Sequence, residues 1–149
     1  MIVNLASGRV RECIIGSPVI TPRTTVSTAL RLLREHGVPA LPVWEDGRLA
    51  GLVDEKALLR LTPSEATTLD VYELREVLDK MTVARVITPA GAAVTPDTPL
   101  DEAATLMLRN TAEVLPVVET GRLVGLLTRA SLLRAAVGDS VSRPVGAFS

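Results

Sequence analysis

The sequence predicts a mixed α/β fold of the α+β type, made of two pseudo-symmetric βαββα repeats, and three observations predict it. First, blocks of residues recur. Thr21-Pro22 returns 74 residues later as Thr95-Pro96. At the same offset Leu41-Pro42-Val43 returns as Leu115-Pro116-Val117 and Gly47-Arg48-Leu49 as Gly121-Arg122-Leu123. Gly51-Leu52 returns as Gly125-Leu126 and Leu58-Leu59-Arg60 as Leu132-Leu133-Arg134, with no gap between Thr21 and Arg60. Second, each copy switches between apolar runs of strand length and an apolar period of 3.6 residues. Third, there are two copies. A solenoid needs three or more, so two copies are expected to close on each other as a pair.

The elements follow in chain order. Val19-Ile20 reads as a short first strand. Thr24 or Thr25 is placed to cap a helix with Val26, Ala29, Leu30 and Leu33 on one face, ending at Gly37. Leu41–Trp44 and Arg48–Val53 are the two strands of a hairpin, with Asp46-Gly47 at the turn where positive φ is required. Glu55–Arg60 opens the closing helix. In the second copy the first helix spans Leu100–Asn110, Thr120-Gly121 makes the turn, and Arg129–Val137 is the closing helix. Between the copies Thr62-Pro63-Ser64 breaks the chain, and Asp70 caps a helix running through Met81 with Leu74, Val77 and Leu78 on one face. The repeats are thus expected over 8–60 and 82–137, with a connector at 61–81 and a frayed tail at 138–149.

Composition narrows the function. Lys+Arg of 16 against Asp+Glu of 17 gives a net charge of −1, which provides no basic footprint for nucleic acid. Trp44, Tyr72 and Phe148 are too few aromatics for a base-stacking platform. Cys13 is the single cysteine, so neither an internal disulfide nor a multi-cysteine metal site can form. His36 is the single histidine, at the end of a helix, with no nucleophile and acid spaced around it. No phosphate-binding glycine loop of the Walker or dinucleotide type occurs. The start Met1–Arg9 lacks the pattern of a signal peptide, and no apolar run reaches membrane-spanning length. The expectation is a cytoplasmic protein that makes no contact with membrane or nucleic acid. Arginine far outnumbers lysine, which points to a GC-rich bacterial gene.

Two segments carry a family likeness: "SPVITPRTTVSTALRLLREHGVPALPVWEDGRLAGLVDEKALLRL" and "AAVTPDTPLDEAATLMLRNTAEVLPVVETGRLVGLLTRASLLRA". Each presents Thr-Pro after the first strand, a Leu-Pro-Val strand, a Gly-Arg-Leu hairpin return, and a Gly-x-x-hydroxyl-type sequence before a Leu-Leu helix. In order and twice over, these resemble the cystathionine-β-synthase-type (CBS) domain. The resemblance implies a tandem pair, the Bateman module, which binds a ligand or partner and catalyses nothing. It implies an adenosine-type nucleotide or adenosyl ligand, no required cofactor, a homodimer formed through helices, and an effector protein acting in trans. The alternative from the residues themselves is a dimeric interaction scaffold that has lost its ligand.

The resemblance also assigns ligand positions. The family pattern is Gly-x-x-Thr/Ser-x-x-Asp, with the hydroxyl at a helix N-terminus and the Asp on the ribose. In the second repeat Thr128 matches the hydroxyl, Ser131 replaces the Asp, and Arg129 is placed to meet a phosphate. In the first repeat Asp54 replaces the hydroxyl and Ala57 replaces the Asp. Thr21 and Thr95 of the Thr-Pro elements, and Ala40 and Val114 at the heads of the Leu-Pro-Val strands, complete the expected set. Where phosphate-binding relatives carry basic residues, this chain has Pro39-Ala40 and Glu113-Val114. That arrangement favours ligands with one phosphate or none over triphosphates.

Overall fold

The computed structural model describes residues 5, 7–61 and 70–138. Two compact units form. The first unit is Pro18–Pro89, and the second joins the described residues up to Ser17 to those from Ala90 onward. The first unit holds α1 (Val26–His36), β1 (Ala40–Glu45), β2 (Arg48–Asp54), α2 (Glu55–Leu59) and α3 (Val71–Lys80). The second holds α4 (Leu100–Asn110), β3 (Val114–Glu119), β4 (Arg122–Thr128) and α5 (Arg129–Ala136).

Local chemistry sets these boundaries. Of the two candidate caps for α1, Thr25 serves: its Oγ1 accepts from the Thr28 N–H at 3.2 Å. Gly37 ends α1 at φ 61°, with its N–H donating to the Leu33 carbonyl. In α4 the same left-handed position falls to Thr111, at φ 51°. The hairpins turn through Asp46-Gly47 (φ 53° and 77°) and Thr120-Gly121 (φ 48° and 75°). Positive φ at both central residues matches the twist of the flanking strands.

Strand pairing repeats between the units at the offset of 74. Ala40 pairs with Asp54 as Val114 pairs with Thr128, and Val43 with Gly51 as Val117 with Gly125. A bulge follows Val43 in one hairpin and Val117 in the other. The expected strand Val19-Ile20 is reduced to one parallel bridge, Ile20 to Val43. The Ile20 N–H donates to the Pro42 carbonyl (3.0 Å) and its carbonyl accepts from the Trp44 N–H (2.8 Å). The strand stops there because Thr21 already turns: its N–H donates to Thr24 Oγ1 and its carbonyl accepts from the Thr24 N–H. Val94 makes the matching bridge to Val117.

The other edge of each hairpin is covered by a segment from the far side of the sequence. Thr88 exchanges two backbone hydrogen bonds with Leu52, at 2.8 and 2.9 Å. Ile15 exchanges two with Leu126, both 2.9 Å. Residues 9–15 therefore pack in the unit of the second repeat, and 82–88 in the unit of the first. Their apolar anchors are Val10 and Val83, each fully buried. Burial of a valine is worth about 1.5–3 kcal/mol, enough to hold a short segment with few hydrogen bonds. In the second unit Val10 and Cys13 join Val94, Leu100, Met107, Leu115, Val117 and Leu127 in one core.

Cys13 is buried at 5% exposure, and its thiol is pushed up from 9.0 to about 11 by burial first and by the charge of Glu12 second. A raised thiol is stabilising below its unfolded pKa. That contribution is lost as pH climbs from about 9 towards about 11. A disulfide-exchange reagent at pH 8 is therefore expected to label the native protein at the rate of unfolding rather than at the rate of a free thiol. Fast native labelling would contradict the burial.

The connector helix α3 is capped by Asp70, whose Oδ1 accepts from the Glu73 N–H at 2.7 Å. None of its residues is fully buried. The Thr62-Pro63-Ser64 break and the tail beyond Gly138 lie outside the described residues. No helix among those described is long and apolar enough to cross a membrane.

Candidate ligand-binding site

In both units the last residue of the returning strand is also the cap of the next helix, and it stands across from the head of the Leu-Pro-Val strand. Thr128 pairs with Val114 and caps α5; Asp54 pairs with Ala40 and caps α2. Two predicted site residues in each unit thus meet through strand register, Thr128 with Val114 and Asp54 with Ala40, and Arg129 and Ser131 follow Thr128 in the first turn of α5. Thr21 and Thr95 do not join them. Val94 runs parallel to β3 beside Val117, so Thr95 lies towards the Glu119 end of the strand. At 3.3 Å per residue, that is roughly 13 Å from Val114. Thr95 is instead spent on its own turn, its N–H donating to Thr98 Oγ1 at 3.0 Å. Thr21 Oγ1 likewise accepts from the Arg23 N–H at 3.2 Å.

The two caps differ in chemistry. In the first unit the Ala57 N–H donates to Asp54 Oδ1 at 2.7 Å, so a carboxylate already occupies the positive end of α2. Ala57 is 2% exposed and has no side-chain polar group. In the second unit Thr128 and Ser131, 4% and 8% exposed, close a reciprocal box. The Ser131 N–H donates to Thr128 Oγ1 at 2.9 Å, and the Thr128 N–H donates to Ser131 Oγ at 3.0 Å. The Ser131 hydroxyl then donates to the Thr128 carbonyl at 3.0 Å. The hydroxyl expected to meet a ribose thus has its one proton committed to the backbone. Thr128 Oγ1 accepts the Ser131 N–H and keeps its own proton and a lone pair.

Arg129 is exposed, yet fixed at one end. Its Nε donates to the Ala112 carbonyl at 2.9 Å, and its backbone N–H donates to the Glu113 carbonyl at 3.0 Å. The guanidinium is therefore anchored by one nitrogen, while both terminal nitrogens keep their donors. Glu113 is exposed and forms no ion pair with Arg129 among the described residues. At the mouth of α5 stand donors and positive charge; at the mouth of α2 stands a carboxylate. Among the described residues no three His, Cys, Asp or Glu side chains gather to hold a metal.

Sequence reasoning passed over the segments that close in beside these caps. Ile15 and Thr88 bridge Leu126 and Leu52, two residues before Thr128 and Asp54. The signal was present in the repeated Gly51 and Gly125. A Cβ built on Gly51 falls 2.3 Å from the Thr88 carbonyl oxygen, and one on Gly125 falls 2.5 Å from that of Ile15. Both glycines exist to admit a neighbouring backbone.

Comparison with known proteins identifies the family and the fold. The family model for the CBS domain matches residues 10–64 and 83–138. CBSX1, a chloroplastic CBS domain-containing protein of Arabidopsis thaliana, is 35% identical over 138 residues, 80% of this chain and 58% of that protein. The chain thus spans little more than half of that relative. The solved structure of CBSX2 in complex with AMP is similar at TM-score 0.69 and 34% identity, covering 87% of this chain and 96% of that one. An inosine-5'-monophosphate dehydrogenase of Korarchaeum cryptofilum is 36% identical over 85% of this chain, but over 24% of that enzyme.

Proposed function

The chain belongs to the CBS domain family, as a tandem pair, and from that premise we propose that it is a non-catalytic regulatory module sensing an adenosine nucleotide with one phosphate. The ligand is held at the mouth of α5, and the signal passes to a separate effector protein. One observation carries this reading: at the mouth of α5 the cap is a hydroxyl and not a carboxylate, and the terminal nitrogens of the anchored Arg129 stand beside it as donors. Such a face suits an acceptor-only phosphate. The corresponding mouth of α2 is filled by Asp54 and repels the same group. The AMP bound by CBSX2 supplies the ligand class.

Glu113 sets the phosphate count. Its carboxylate is exposed, so each extra phosphate charge held ~6 Å away costs about 0.7 kcal/mol at the dielectric of water. A triphosphate is therefore expected to bind several-fold more weakly than AMP. Glu113→Gln should narrow that gap at low salt and change AMP affinity less. Isothermal calorimetry with AMP and ATP at two ionic strengths reads both effects; an ATP preference that survives in the wild type would contradict the assignment.

The scaffold reading keeps one supporting observation, the capping box in which each hydroxyl accepts from the other residue's backbone N–H and the Ser131 proton goes to the Thr128 carbonyl, without a ligand. A thermal-shift series with AMP separates the two readings. A sensor gains about 2.7 kcal/mol of stability at a hundred times its Kd, whereas a scaffold gains none. A homodimer is part of the proposal. Leu108, Leu133 and Val137 of the second unit are 76%, 59% and 69% exposed, more apolar surface than a lone helix pair usually leaves uncovered.

A further inference from the structure

The turn that ends α4 places the two carbonyls that hold Arg129. The helix closes in a Schellman motif: the Ala112 N–H donates to the Met107 carbonyl at 2.9 Å, and the Thr111 N–H to the Leu108 carbonyl at 3.4 Å. The motif requires a left-handed residue at position 111, and Thr111 takes it at φ 51° and ψ 39°. A β-branched residue is an outlier in that region, and such outliers gather at ligand clamps and switch regions. The matching residue of the first repeat is Gly37, at φ 61°, whose N–H donates to the Leu33 carbonyl at 2.9 Å. That repeat has Glu55 where the second has Arg129.

The consequence of the turn falls on Ala112 and Glu113. The Ala112 N–H is tied to Met107, a core residue, and the Ala112 methyl packs against the same core. Its carbonyl is thereby aimed at Arg129 Nε, at 2.9 Å. The next carbonyl, of Glu113, accepts the Arg129 backbone N–H at 3.0 Å. Two successive carbonyls thus grip one arginine, at its side chain and at its backbone. A free arginine loses rotamer entropy when it closes on a phosphate, and one already held loses less. On the reading of the α5 mouth as the phosphate site, we infer that Thr111 is a positioning residue: its left-handed turn sets the carbonyls that orient the Arg129 guanidinium for the ligand.

The test begins on the ligand-free wild-type chain, by NMR of the arginine Nε–H groups at mildly acidic pH. Arg129→Lys identifies the Arg129 signal by its loss. That signal is expected to exchange with water several-fold more slowly than those of solvated arginines. Thr111→Gly keeps the left-handed turn without its strain, so it should keep the protected signal and melt a few degrees higher. Thr111→Pro cannot adopt the turn, so it should release the signal and weaken AMP binding about tenfold, with adenosine binding little changed. In an Arg129→Ala background Thr111→Pro should have no further effect on AMP affinity, which a merely structural role would not produce. Melting profiles show whether the proline variant is folded, and the wild-type and Thr111→Gly signals decide the matter if it is not. A wild-type Nε–H exchanging as fast as a solvated one, or an AMP loss in Thr111→Pro that persists without Arg129, overturns the inference. A protected signal that depends on the turn, in a chain that calorimetry shows not to bind AMP, upholds the clamp and removes the ligand instead.

Discussion

Gly51→Ala and Gly125→Ala are each expected to destabilise the fold by roughly 3 kcal/mol, well beyond an ordinary surface substitution. The new methyl at position 51 meets the Thr88 carbonyl oxygen at 2.3 Å and Ile87 Cγ2 at 2.8 Å. At position 125 it meets the Ile15 carbonyl oxygen at 2.5 Å and Ile14 Cγ2 at 2.6 Å. A backbone oxygen cannot rotate away as a side chain can. The covering segment must lift, and the hydrogen bonds it exchanges with Leu52 or Leu126 go with it. At Gly51 the backbone φ of 151° adds strain for any residue with a Cβ. Gly121→Ala is the matched control: φ is 75°, but nothing lies within 4 Å of the added methyl. Strain alone costs about 1–2 kcal/mol there. Thermal denaturation should place both close-approach variants about 10 °C below wild type, with Gly121→Ala between. Equal shifts for all three would mean that the covering segments do not sit where the structure puts them.

Arg129→Ala is expected to weaken AMP binding about ten- to a hundredfold, the cost of a charge-assisted hydrogen bond to phosphate. Adenosine, lacking the phosphate, should be affected little. Thr128→Ala acts on two levels. It removes a hydroxyl donor to the ligand, worth several-fold in affinity, and it removes the cap of α5, worth about 1 kcal/mol of stability. Asp54→Ala loses a comparable cap on α2 but removes a repelling carboxylate, so AMP affinity should hold or rise while stability falls. Opposite signs from two cap substitutions at matching positions distinguish a site effect from general loosening. Stability is read by melting, affinity by calorimetry.

The path from sequence to fold was short where local chemistry decides. Val26–His36 and Leu100–Asn110 follow from apolar period and terminal positions, and both helices form with those bounds. The turns at Asp46-Gly47 and Thr120-Gly121 follow from the need for positive φ. The path was long where partners are distant in sequence. Nothing local to Ile15 indicates that it pairs with Leu126, or local to Thr88 that it pairs with Leu52. The repeated glycines carried that information, but only a structure shows which backbone fills the space they leave. Val19-Ile20 has the residues of a strand, yet the Thr21–Thr24 turn claims its continuation. Site chemistry divided in the same way. The offset of 74 aligned Thr128 with Asp54, and strand register placed Val114 and Ala40 opposite them. The direction of each hydroxyl was outside its reach. Ser131 turns its proton into the backbone, a choice settled by the 3.0 Å geometry of a buried cap and not by residue type.

The central claim is that the two repeats are chemically unequal, with the second accepting the nucleotide and the first refusing it. Calorimetric titration of AMP into the wild-type chain, Thr128→Ala and Asp54→Ala tests this most directly. The account predicts saturation at one AMP per chain in the wild type, several-fold weaker binding in Thr128→Ala, and undiminished or tighter binding in Asp54→Ala. Two equal sites per chain, or affinity lost with Asp54 and kept without Thr128, would contradict it.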